Sequence, residues 1–209
     1  MSDKSLSQEK INNLILLYKK GLIKEALVEA EQLIENNPNS FFLHNIHGMI
    51  NINLKKWNKS IESLSKAIEI KQDYAEAHNN LGVALNNLAH LEKAIESYSN
   101  AIKFKPDYAN AHNNLGSVFN DLGRWEEALE SYSKALEYNP ENNEAYENLI
   151  KLLTFYKPKK ANSNSIVIAN QELQNIKYNY NSNKKITDNE ISNFFKKCNK
   201  IILKNKNKI

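Results

Sequence analysis

Three of the five histidines, His44, His78 and His112, recur at intervals of 34 residues, and imidazoles in register are the first candidates for metal ligation or proton transfer. A shared metal ion would need their nitrogens within about 2 Å of one point. If each interval is one structural repeat, successive histidines lie about 10 Å apart, the spacing of packed helices. The interval therefore predicts packing residues. The one cysteine, Cys198, excludes an internal disulfide and a multi-cysteine zinc site. Paired acids such as Glu126 and Glu127 fit a solvated helix N-terminus, where negative charge is favoured. No glycine-rich phosphate loop, Gly-x-Ser-x-Gly elbow or His-Glu-x-x-His motif occurs. The sequence predicts no catalytic residue, no metal site and no cofactor.

Asparagine is the other chemically capable residue in register. Asn45, Asn79 and Asn113 form one series at 34-residue steps, and Asn80, Asn114 and Asn148 form a second. A carboxamide carries both donors and an acceptor, so a row of them can pair with the backbone of an extended peptide whatever its side chains. Asparagine is also abundant throughout the chain, which lowers the specificity of the pattern.

The elements that would position these residues are read from the same period. The run Ala77-His78-Asn79-Asn80-Leu81-Gly82 returns as Ala111-His112-Asn113-Asn114-Leu115-Gly116, and the shift also carries Ala94 to Ala128, Tyr98 to Tyr132 and Pro106 to Pro140. Four units result, 7–40, 41–74, 75–108 and 109–142, with 143–156 repeating the first half of a unit. Each unit reads as two helices. In the third, residues 75–88 present a buried face through Ala77, Leu81, Ala84 and Leu85, and residues 91–104 present Ala94, Ile95, Tyr98, Ala101 and Ile102 at steps of three and four. Pro106 ends the second helix. Gly21 and Gly123 fall at the turn within a unit, where a left-handed backbone suits glycine. Ala89 replaces that glycine in the third unit. Gly82 and Gly116 lie inside a helix at a cost of ~1 kcal/mol relative to alanine, which predicts close approach of the paired helix. Trp57 and Trp125 open second helices and are expected in the core.

The 34-residue period, the Leu-Gly pair, the small alanines of the second helix and the closing proline resemble the tetratricopeptide repeat family over roughly residues 7–156. Within it, residues 74–82 look most like the arrays attached to O-linked N-acetylglucosamine transferases and their bacterial relatives. The resemblance implies an all-α fold, a right-handed α-solenoid of helix-turn-helix repeats, here followed by a C-terminal helical extension. It also implies that one face of each first helix lines a concave groove.

With places numbered from the start of each unit, the first helix buries positions 4, 7, 8 and 11, and positions 2, 6, 9 and 13 point away from them. Position 6 holds Ile46, Asn80, Asn114 and Asn148; position 5, flanking it, holds Asn45, Asn79 and Asn113. Positions 12 and 13 add Asn87 and Asn120, while Phe42, Ile46 and Met49 with Ile52 make an apolar end. These residues are the expected peptide-binding set. In the transferase-type arrays the resemblance implies that Asn80, Asn114 and Asn148 hold peptide backbone, and replacing all three with alanine is expected to weaken binding without lowering thermal stability. The Lys and Arg placements of carboxylate-clamp members are not present.

Charge is divided unevenly. Residues 1–156 hold 16 basic and 21 acidic residues, net −5, and residues 157–209 hold 12 and 3, net +9, together the +4 of the whole chain. The basic stretch also contains 12 asparagines, so biased composition explains it better than a nucleic-acid site does. Residues 157–165 read as a linker and 166–180 as a weakly periodic helix. Beyond them a helix opens with capping-box spacing from Thr187 to Glu190 and carries the stripe Ile191, Phe194, Phe195, Cys198, Ile201 and Ile202. That stripe could dock on the last repeat, bind another chain, or begin a catalytic domain. No run approaches the ~20 apolar residues of a membrane span, and the polar start does not read as a secretory signal. The expectation is a cytoplasmic, non-enzymatic adaptor that binds an extended peptide of another protein. The alternative is the targeting arm of a glycosyl- or other group-transferase.

Overall fold

The structure is a computed structural model that describes residues 8–155, with side chains to Leu152. The linker, the helix at 166–180, the Thr187 capping box and the stripe bearing Cys198 all lie outside the described residues. Among those described there are nine helices and no strand: α1 Gln8–Lys19, α2 Ile23–Asn36, α3 Phe41–Asn53, α4 Trp57–Ile70, α5 Ala75–Asn87, α6 Leu91–Phe104, α7 Ala109–Asp121, α8 Trp125–Tyr138 and α9 Asn143–Phe155. The fold is an all-α solenoid of helix pairs. Two compact bodies divide between Pro106 and Asp107; the first holds α1–α6 and the second α7–α9.

In the second, third and fourth pairs the helices meet through a glycine and a large side chain. A Cβ on Gly82 would stand 2.6 Å from the Tyr98 ring, and one on Gly116 would stand 2.7 Å from the Tyr132 ring. The rings occupy the space that alanine would need, which accounts for two glycines in helix interiors. Leu64 fills the same place opposite Gly48. Tyr98 and Tyr132 are buried, and the alanines Ala94, Ala101, Ala128 and Ala135 are fully covered. Small residues on the second helix let its partner come close, and the aromatic ring then fills what remains.

The turn inside each pair takes the same left-handed conformation whatever residue stands there. Gly21 and Gly123 have φ of 74° and 68°, and Lys55 and Ala89 have φ of 56° and 57°. The missing glycine at Ala89 therefore changes the energy of the turn and leaves its geometry intact. Trp57 is half-buried, but Trp125 is 41% exposed, so the expectation of a core tryptophan fails at the second position. Trp125 is the first residue of α8, immediately after the exposed Arg124.

Candidate functional site

Two of the three recurring histidines hold turns. His44 Nε2 lies 2.8 Å from the Pro38 carbonyl oxygen, and His78 Nε2 lies 2.9 Å from that of Gln72. Each imidazole thus joins a first helix to the turn that precedes it. His78 also stacks on Phe104, and His112 on Tyr138. Among the described residues no group of three or more His, Cys, Asp or Glu could hold a metal ion.

His47, which the repeat pattern does not single out, sits in a more polar setting. Its Nδ1 is 2.7 Å from Ser63 Oγ and its Nε2 is 3.2 Å from Asn51 Nδ2. Because Asn51 Nδ2 can only donate, Nε2 is the acceptor and Nδ1 carries the proton. Ser63 Oγ in turn donates to the Lys59 carbonyl at 2.9 Å. Burial holds the imidazole pKa below its ordinary value, outweighing the Glu31 carboxylate 3.8 Å from Nε2. A cleft of about 720 Å³, lined in part by Glu31, His44, His47, Lys59, Glu62 and Ser63, opens over this cluster.

The two asparagine series behave differently. Asn45, Asn79 and Asn113 are buried, with 4%, 6% and 2% of their surfaces exposed, so they do not line an open face. Asn45 and Asn113 each turn toward the next repeat of their own body. Asn80 Nδ2 donates to Asn45 Oδ1 at 3.0 Å within the first body, and Asn148 Nδ2 donates to Asn113 Oδ1 at 3.1 Å within the second. Both bonds span 35 residues and join position 6 of one unit to position 5 of the unit before. Asn45 directs its own Nδ2 to Tyr74 Oη at 3.4 Å and to Met49 Sδ at 3.7 Å. Burial raises the Tyr74 pKa, and nearby Glu76 raises it further, so the phenol keeps its proton while its oxygen accepts from Asn45. In the second body Asn148 Nδ2 also reaches Ser117 Oγ at 3.4 Å, and Tyr132 Oη donates to that hydroxyl at 3.3 Å.

Asn80, Asn114 and Asn148 are half-buried, and Asn87 and Asn120 are exposed. The apolar end is less open than its sequence suggests. Ile46 is only 8% exposed and belongs to the core formed by Leu14, Ala26, Leu33, Leu43 and Ile50, against which Phe42 also packs. The first helix pair covers these side chains, whereas Phe42 and Met49 each keep part of their surface. The surviving surface of the first body is Asn80 and Asn87 with Met49 and Phe42, and that of the second is Asn114, Asn120 and Asn148.

A model described as "Tetratricopeptide repeat" matches residues 109–142, and one described as "TPR repeat" matches residues 50–88 and 90–120. These units are tetratricopeptide repeats. Solved TPR structures agree with the helix pairing. The crystal structure of MamA is similar at 25% identity and a TM-score of 0.60, over 69% of this chain and 79% of that one. A thermophilic TPR protein of Thermus thermophilus, TTC0263, shares 22% identity with a TM-score of 0.63, over 70% and 81%. YrrB, described as a TPR protein with an unusual peptide-binding site, shares 18% identity with a TM-score of 0.56, over 70% and 75%. No curated protein matches the sequence. Among the described residues no helix is long and apolar enough to cross a membrane.

Proposed function

We propose that residues 7–156 form a TPR array, a cytoplasmic adaptor that binds an extended segment of another protein through first-helix asparagines, Asn80 in the first body and Asn114 and Asn148 in the second. The observation that carries this reading is the repeated asparagine pair. In each body a half-buried amide is anchored by a buried one and keeps hydrogen-bonding capacity of its own. Anchored amides lose little conformational entropy when a ligand arrives, which favours binding. Tetratricopeptide repeats support a protein-interaction role. Similarity of residues 74–82 to transferase-type arrays supports backbone recognition specifically. Asn87 follows Asn80 on α5 and Asn120 follows Asn114 on α7, and Phe42 and Met49 would receive an apolar ligand side chain.

The test is selection of dodecapeptides from a displayed random library on the full chain, followed by titration calorimetry. Alanine at Asn80, Asn114 and Asn148 removes three polar contacts of about 1 kcal/mol each, so affinity should fall about 100-fold, measured where every variant is fully folded. Unchanged affinity would remove these residues from the site.

A further inference from the structure

We propose that the buried Asn45 and Asn113 are positioning residues that fix the orientation of the Asn80 and Asn148 carboxamides, so that the ladder presents acceptor oxygens and reads N–H donors of a ligand backbone. This inference rests on the peptide-groove reading and specifies its chemistry.

Donor and acceptor capacities set the orientation of each amide. Asn45 sends its Nδ2 toward Tyr74 Oη and Met49 Sδ, which leaves Oδ1 as the atom facing Asn80. That oxygen selects the Nδ2 end of Asn80, at 3.0 Å. An inverted Asn80 amide would set two carbonyl oxygens against each other. The same choice appears independently in the second body, where Asn113 Oδ1 receives Asn148 Nδ2 at 3.1 Å. Asn148 then places its other N–H toward Ser117 Oγ at 3.4 Å. An Asn amide has two N–H donors and an oxygen with two lone pairs, so Asn148 is left with acceptor capacity only. Asn80 has committed one N–H and receives Asn79 Nδ2 on its oxygen at 3.4 Å, leaving one lone pair and one N–H. The group shared by both rungs is an acceptor oxygen. An extended peptide meets it with a backbone N–H. Replacement of the buried partner would let the rung amide rotate, and the ligand would then have to order it.

Two measurements on the full chain test this. The first needs no ligand: side-chain ¹H–¹⁵N spectra of wild type, Asn45→Leu and Asn113→Leu. Leucine keeps the approximate volume and removes the acceptor. The Asn80 signals should lose exchange protection in Asn45→Leu and regain it in Asn45→Asp, which restores an acceptor; the Asn148 signals should respond to Asn113→Leu. The second uses a dodecapeptide selected by display on the wild-type chain. Asn45→Leu should weaken it about tenfold in the wild-type background and leave it unchanged when Asn80 is already alanine. N-methylation of the peptide at the contacted residues should abolish binding. Unaltered Asn80 and Asn148 signals, additive losses, or a peptide indifferent to N-methylation at every position would overturn the proposal. If the library returns no binder, the groove reading fails, and the side-chain signals alone decide whether Asn45 and Asn113 orient their partners.

Discussion

Replacing Gly82 with alanine sets two effects of opposite sign against each other. Alanine is favoured over glycine by ~1 kcal/mol in a helix interior. The added Cβ, however, would lie 2.6, 2.7 and 2.8 Å from Cε1, Cδ1 and Cζ of Tyr98, well inside contact distance. Tyr98 is only 1% exposed, so its ring cannot swing into solvent, and either it or the α5–α6 spacing must give. Overpacking of this kind costs typically about 1–3 kcal/mol. The variant should therefore be destabilised by about 1 kcal/mol net, which lowers the Tm of a domain this size by about 2–4 °C. The sign should invert when the ring is absent. In a Tyr98→Ala background, itself destabilised by about 3–5 kcal/mol, Gly82→Ala fills part of the cavity and keeps its propensity gain, and it should stabilise by about 1 kcal/mol. The coupling is about 2 kcal/mol, read from urea unfolding followed by circular dichroism in all four variants. Equal effects of Gly82→Ala in both backgrounds would refute the assignment of this glycine to ring packing.

Three other outcomes follow from the same contacts. Asn80→Ala should lower stability by about 1–2 kcal/mol, because Asn45 Oδ1 is left buried without its donor; this revises the expectation that the ladder can be removed at no cost, and thermal denaturation checks it. Ala89→Gly should raise stability by up to about 1 kcal/mol, since φ of 57° is strained for alanine and free for glycine, as urea midpoints would show. Burial depresses the His47 pKa in the folded state, so the unfolded chain takes up its proton first as pH falls. Stability should decline on acidification from the ordinary histidine value of 6.5 down toward the folded value, and flatten below it. His47→Gln should reduce that slope, measured by urea denaturation from about pH 7.5 to about 5.

Much of the framework was legible because each residue that set it acts through its own repeat. Gly82 with Tyr98, and Gly116 with Tyr132, recur in phase, and helices, turns and close approaches were all readable from that recurrence. The candidate site was readable only in part. Positions 5 and 6 are about 100° apart on a helix, and both carry asparagine, so composition could not tell a buried anchor from an outward rung. The distinction is set by a hydrogen bond to the next repeat, 35 residues away. Ile46 misled for a related reason: it stands in line with the ladder, but the first helix pair closes over it. The role of His44 and His78 was half visible. Their packing position followed from spacing, whereas the carbonyl each one holds belongs to a turn whose path the sequence does not specify. His47 was invisible because it replaces a leucine of the pattern in one repeat alone.

The most direct test of the proposed site is a titration of the ¹⁵N-labelled full chain with a display-selected dodecapeptide, following the side-chain amides. The expected result is that the Asn80, Asn114 and Asn148 signals shift and gain exchange protection together, with Asn87 and Asn120 affected less. Saturation with these amides unmoved while another surface responds would contradict it.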